Sequence, residues 1–307
     1  MVIQNIFKSL VYSLVLLSTL MSLMSCEDVI DLKTANGPSQ MVVDGWITNQ
    51  PGAQTIRLTW SADYFDNGAA KPVLNAEVTV TDNLGNKYEF PYSGADGKYV
   101  WNGADTLGHI GRTYTLSIKN GDDTYTAFNQ IKRVPTVDSV VYQHETYPFE
   151  PDKGPKKGFI AEFYARDFVG EGDTYWIKPV VSGKVSANNP VNISIAYDAA
   201  FGSGAPSDGL IFILPLRQSI TVDSLYSAGN SVGVELHSIT NEAFEFLKLV
   251  REQASNGGLF ATPNSNIKSN VVNTNANGPK ALGYFGASAV SRKETVIDPA
   301  KARPEED

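Results

Sequence analysis

Gln54-Thr55-Ile56-Arg57-Leu58-Thr59-Trp60 alternates without a break: Ile56, Leu58 and Trp60 fall on one side, Thr55, Arg57 and Thr59 on the other. A period of two is the mark of a strand with one buried face. The same grammar extends in both directions. Upstream, Met41 to Ile47 places Val43 and Ile47 on one face and Val42, Asp44 and Trp46 on the other. Downstream, Ala76 to Thr81 repeats it through Val78 and Val80, the turn Asp82-Asn83-Leu84-Gly85-Asn86 follows, and Tyr88 to Phe90 is the return strand. Asp96-Gly97 precedes a strand at Tyr99 to Trp101. Thr113 to Lys119 and Thr124 to Phe128 flank Asn120-Gly121-Asp122-Asp123, a hairpin loop made of turn residues. Closely spaced strands with no helical period between them predict an antiparallel sandwich over 41–133.

After Lys132-Arg133-Val134-Pro135-Thr136, read as a crossover, a second domain is expected over 134–297. Strand patterns recur at Val137 to Tyr142, Phe159 to Arg166, Tyr175 to Val181, Val191 to Ala196, Leu210 to Leu214 and Val232 to Leu236. Between them run two long polar loops, Tyr147 to Gly158 and Tyr197 to Gly209; loops of this length are often functional. One helix is predicted over 240–254. Thr240 caps it, Glu242 meets the positive end, Ala243, Leu247, Val250 and Ala254 form its apolar face, and Arg251 lies in the last turn. Ala281 to Ser288 reads as a strand whose glycines admit another backbone. The tail, 298–307, is expected to be disordered. The class is therefore all-β: an N-terminal immunoglobulin-like or transthyretin-like antiparallel sandwich, then a second mainly antiparallel β domain carrying one α-helix.

Of 307 residues, 42% are apolar and 19% charged, which suits a folded chain, and Gly 26 with Pro 16 supply its turns. The net charge of −8 leaves no basic stripe to replace phosphate counterions, so nucleic acid is excluded as a partner. The same charge opposes adsorption to anionic lipid.

Membrane attachment has another source. An apolar run from Ile6 ends in Leu23-Met24-Ser25-Cys26, and Cys26 is the only cysteine, so no disulfide within the chain accounts for it. The run is diluted by serines and its longest aliphatic part, Leu14 to Leu17, is too short to span a bilayer. The pattern resembles a bacterial lipoprotein signal peptide: residues 1–25 would be removed, Cys26 would carry the lipid, and 26–40 would be a tether. Several acyl chains anchor stably where one is marginal. Glu27 and Asp28 resemble the surface-export signal of Bacteroidota lipoproteins, so the protein is expected on the outer membrane facing the exterior.

Val73 to Val80, Gly85, Asp96-Gly97-Lys98-Tyr99 and Gly111 to Leu116 together resemble the carboxypeptidase-regulatory, transthyretin-like sandwiches of secreted bacterial proteins. A more specific resemblance covers nearly the whole mature chain. Cys26-Glu27-Asp28-Val29-Ile30-Asp31-Leu32, Met41 to Asn49, Asp63-Tyr64-Phe65, the single helix with Gly257-Gly258-Leu259-Phe260, the Asn-rich stretch and Leu282 to Ser288 are similar to the family of domain of unknown function 4249. That resemblance implies a Bacteroidota outer-membrane lipoprotein, often encoded beside a TonB-dependent transporter. It carries no catalytic residues with it.

The residues themselves point the same way. His109, His144 and His237 lie in separate segments with no metal-ligand spacing, and the Gly-x-Ser-x-Gly elbow, the P-loop and Gly-x-Gly-x-x-Gly are missing. No catalytic residue, metal or cofactor is therefore assigned. Asp63/Asp66 and Asp122/Asp123 could serve calcium or acid–base chemistry, but sit in turns, where Asp is favoured for its local hydrogen bonds. The loop aromatics Tyr64, Phe65, Tyr147, Phe149 and Phe201 are the ligand-binding candidates, since aromatic rings bring large contact area at low entropy cost. Thr106, Ser139 and Ser224, each in an Asp-Ser/Thr-apolar tripeptide, resemble O-glycosylation sites. The expectation is a non-enzymatic surface lipoprotein assisting a TonB-dependent transporter as a ligand-capturing or lid-like subunit. The alternatives are a structural or adhesive surface protein, and a hydrolase with an unrecognised site.

Overall fold

In the computed structural model, residues 37–62, 66, 68–94, 96–186, 189–257 and 267–305 are described. β1 (Met41–Thr48) pairs antiparallel with β2 (Gln54–Trp60), Val43 opposite Leu58 and Gly45 opposite Ile56, so both alternations bury the same face. β5 (Lys98–Trp101) extends this sheet on the far side of β2. The facing sheet is built from β3 (Glu77–Asp82), β4 (Lys87–Phe90), β6 (Thr113–Asn120) and β7 (Asp123–Gln130), all antiparallel. Ile47, Ile56, Leu58, Val80, Leu116 and Ile118 fill the space between the sheets, each at 0% exposure. Two buried tyrosines tie loops to this core: the Tyr99 hydroxyl donates to Val73 O, and Tyr114 donates to Leu107 O while accepting from His109 N. A tyrosine bonded to backbone a few residues upstream is a corner device of immunoglobulin-like sandwiches.

Strands from the far end of the chain complete the sandwich. β15 (Ala281–Ser288) pairs in parallel with β1, from Met41 opposite Ala281 to Thr48 opposite Ser288. β14 (Val272–Asn273) adds to β7. Periodicity marks a strand but does not name its neighbour, so a division at residue 133 places β14 and β15 in the second domain, whereas Ser39–Asp307 form one compact unit. Gly283 permits the close pairing: at φ +84 it occupies a region that other residues avoid, and a Cβ there would lie 2.0 Å from Val43 O.

The second sandwich sets the pair β8 (Val137–Thr146) and β9 (Lys157–Ala165) against a larger sheet. That sheet runs β11 (Lys184–Val185), β10 (Thr174–Val181), β13 (Ser231–Ile239), β16 (Val290–Val296), with β12 (Ser194–Tyr197) also on β10. Phe163, Tyr175, Ile177, Phe212 and Leu236 are in its core.

Three sequence expectations differ here. Leu210 to Leu214 is not a strand: only Ile211 bridges to Arg166, and α1 (Leu214–Arg217) follows with Pro215 in its first turn. Proline has no N–H for a ladder and is preset for a helix start. Val191 to Ala196 begins instead as a 3-10 turn at Pro190–Asn192 for the same reason, and the strand starts at Ser194. The tail expected to be disordered is held through Glu305. The Arg303 N–H donates to Tyr142 O, and the Arg303 guanidinium pairs with the buried Glu162, which also binds Arg217 at 3.0 Å. A buried carboxylate is costly without such partners.

α2 (Asn241–Ala254) packs where the two sandwiches meet. The Thr240 hydroxyl caps it by accepting from Ala243 N at 3.3 Å, Glu242 lies in the first turn and Arg251 in the last. Ala243, Phe244 and Leu247 are buried with Ile195, Ile239 and Tyr284, so the helix rests on β12, β13 and β15 together. No helix among the described residues is long and apolar enough to cross a membrane.

Candidate functional site

The helix has a second stripe. Glu242, Glu245, Phe246 and Leu249 stand at i, i+3, i+4 and i+7 and therefore share one face. This face and Tyr284 of β15 line a groove of about 530 Å³, to which Asn241 and Lys268-Ser269-Asn270 also contribute among the described residues. Grooves of about 300–1,000 Å³ with an apolar floor and a few polar groups are the usual form of small-ligand sites. The Asn270 side chain bonds both ways with Phe285, its amide donating to Phe285 O at 2.8 Å and its carbonyl accepting from Phe285 N at 2.9 Å. In doing so it mimics a strand at that position of β15.

Tyr284 connects the groove to an aromatic row. Its ring lies 4.7 Å from Phe246 and stacks on Trp46 at 5.8 Å; Trp46 meets Trp176 edge-on at 5.0 Å. Gly286 makes room, since a Cβ there would strike the Trp46 ring. The Lys178 ammonium lies 3.6 Å from the Trp176 ring centre and closes the row. Burial pushes Lys178 down to about 8, against the opposing charges of Glu235 and Asp44. Beside it, the buried His237 is pushed down to about 4, first by burial and then by the Lys178 charge. The neutral ring donates from Nε2 to Glu235 at 3.0 Å, which leaves Nδ1 buried without a partner among the described residues. Arg292 holds the other oxygen of Glu235 at 2.7 Å.

A carboxylate cluster and a second cavity lie in the second sandwich. Carboxylate oxygens of Asp167, Asp198 and Asp208 come within 4.8 Å of one another and could hold a metal ion. Burial raises the Asp167 carboxyl, although the Tyr175 hydroxyl donates to it at 2.5 Å. Gly172 N and Asp173 N donate to Asp198, and Gly170 N donates to Asp208. These aspartates come from separate turns, so no spacing rule could collect them from sequence. A smaller cavity of about 290 Å³ is lined by Val191, Phe201, Asp223 and Arg251, among others.

Of the aromatic candidates, Phe201 lines that cavity and is 55% exposed. Phe149 stands exposed on its loop and Tyr147 is half-buried; neither lines either cavity. Tyr64 and Phe65 lie outside the described residues, as do Cys26 and Asp63. Asp66 accepts from Gly68 N and Asp123 from the Asn273 amide at 2.9 Å, both roles in local turn and edge structure. Thr106, Ser139 and Ser224 are each half-buried, Ser139 within β8 and Ser224 packed against Gly154. The histidines do not converge: His109 and His144 are exposed and His237 is buried.

The residues lining the larger groove escaped the sequence reading because Phe246 and Leu249 fit a core stripe as well as a binding one. The signal available was their pairing with Glu242 and Glu245 on one helical face.

No curated protein sequence matches the chain. Among solved structures, a two fibronectin type-III domain segment from chicken tenascin is similar at 13% identity, over 66% of this chain and 92% of that one, with a TM-score of 0.19. A family profile covers residues 27–294, nearly all of both sandwiches and the helix. The chain belongs to the family described as domain of unknown function (DUF4249).

Proposed function

We propose that this protein is a lipid-anchored, non-enzymatic capture subunit on the outside of the outer membrane, serving a TonB-dependent transporter. The observation that carries the capture role is the groove of about 530 Å³ between α2 and β15, with Phe246, Leu249 and Tyr284 as its apolar surface. The anchor rests on the apolar run ending at Cys26, and the transporter on the family resemblance. The test has two arms. Cys26→Ala should release the protein from membranes and abolish labelling by a fatty-acid analogue; unlabelled wild-type protein that still pellets with membranes would refute the anchor. Phe246→Arg, which fills the groove, should leave anchoring intact and remove transporter-dependent uptake by the cell.

The second reading is a structural or adhesive surface protein. It is favoured by β15, which pairs in parallel with β1 in the first sandwich and leads directly into β16 of the second. Unchanged uptake in the Phe246→Arg strain, with impaired surface attachment on deletion of the whole protein, would favour it.

A further inference from the structure

The groups left uncommitted in the α2/β15 groove identify a ligand chemistry; this step rests on the capture reading above. Most neutral hydrogen-bonding groups there are already engaged. The Asn270 amide is spent on Phe285 in both directions. The Ser269 hydroxyl accepts from Val271 N at 3.0 Å, and the Asn241 carbonyl accepts from the Thr174 hydroxyl at 3.2 Å. Glu245 is held by Lys248 at 3.5 Å. Two exposed charges of opposite sign remain, Glu242 and Lys268, neither with an ion-pair partner among the described residues. They share the groove with the apolar surface of Phe246, Leu249 and Tyr284.

We propose that the groove binds a short peptide with free termini and an apolar side chain. Glu242 receives the α-ammonium, Lys268 the α-carboxylate, and the side chain covers Phe246 and Leu249. A neutral oligosaccharide is served less well, because the Asn270 amide is spent on Phe285 and the Ser269 and Asn241 oxygens already accept, leaving the Ser269 O–H and the Asn241 NH2 as donors without neutral acceptors beside them. The Tyr284 ring, lying against Phe246 on one side and Trp46 on the other, holds the floor rigid, so little ordering is required on binding.

The experiment is calorimetric titration of the full chain in detergent micelles with the tripeptide Ala-Phe-Leu. Controls are its N-acetylated, C-amidated form and maltotriose. The free tripeptide should bind, and blocking both termini should weaken it about tenfold. Glu242→Gln and Lys268→Gln should each cost about threefold to fivefold, the scale of an exposed ion pair. Phe246→Ala should abolish measurable binding, with unchanged thermal unfolding of the Glu242→Gln and Lys268→Gln variants serving as the control for folding. Equal binding of blocked and free peptide overturns the proposal. Maltotriose binding that is lost in Phe246→Ala overturns the peptide class and leaves the capture reading standing. No binding of either probe overturns the proposal as well. Peptide binding with the predicted variant effects, in a protein whose Phe246→Arg form does not alter cellular uptake, supports the peptide site and removes the transporter role.

Discussion

The two sandwiches solve the same packing problem with different materials. The first is filled by aliphatic and aromatic side chains, among them Tyr99 and Tyr114, whose hydroxyls are spent on backbone. Its buried carboxylate, Asp82, is wrapped by Leu84 N, Asn86 N, the Asn86 amide and Arg112. Although burial opposes it, those bonds hold the Asp82 carboxyl below its ordinary range. The second sandwich buries Glu162, Asp167, Asp173, Asp198 and His237; salt bridges, one short tyrosine bond and backbone N–H groups on Asp198 meet them, and His237 keeps one ring nitrogen without a partner among the described residues. Ionisable groups in an interior cost stability unless partnered. The comparison teaches that regular alternation builds the first half, while the second half spends stability on particular side chains.

The largest effect should come from the strand that joins the halves. Phe285, at 0% exposure on β15, fills the first core. Phe285→Ala should cost about 3–5 kcal/mol. If the sandwiches unfold as one, urea denaturation followed by fluorescence and by far-UV circular dichroism will give a single coincident transition. Residues 41–133 alone should not fold, since β1 would lack its parallel partner. Two separated transitions, or a folded fragment, would restore two independent domains.

A smaller effect separates the halves by pH. The folded-state pKa of His237 lies at about 4, below the ordinary 6.5, so the unfolded chain takes up a proton that the folded chain refuses. The contribution of His237 to stability is complete above pH 6.5 and is lost as pH falls toward 4, by on the order of 3 kcal/mol. His237→Gln should flatten that interval in a series of denaturation midpoints. Asp82, the buried carboxylate of the first sandwich, titrates below this window. An unchanged slope in the variant would show that His237 is not the group responsible.

The smallest effect sharpens the reading of the loops. Phe149 is 80% exposed, so Phe149→Ser should alter stability by less than about 0.5 kcal/mol. It should also leave peptide titration unchanged, because Phe149 does not line the groove.

The first sandwich was legible almost strand by strand, because strands such as β1 and β6 bury one face of a two-residue repeat and turns such as Asp82-Asn83, Asp96-Gly97 and Asn120-Gly121 separate the strands. The helix was legible from Thr240, Glu242 and Arg251. Three things were not. Strand partnership is set by tertiary packing, so nothing local told that Ala281 lies beside Met41. At Leu214-Pro215 a short apolar run was open to either reading, and proline decided for the helix. The tail looked disordered by composition, yet one side chain, Arg303, is required by a carboxylate at residue 162. The groove was hidden for a related reason: half of it is contributed by α2 and half by residues beyond it, and only folding brings them together.

The parallel pairing of β1 with β15 also orders events in time. A ribosome that has released residues 41–133 has released a sandwich that still lacks β14 and β15, its apolar face open beside β1. The partner of β1 arrives only with residues 281–288, and the Gln50 amide then donates to Val290 O, 240 positions further along. Contacts between such distant residues are slow to form because so much chain entropy is lost before they repay it. Closure of the first core thus waits until residues 281–288 have been made.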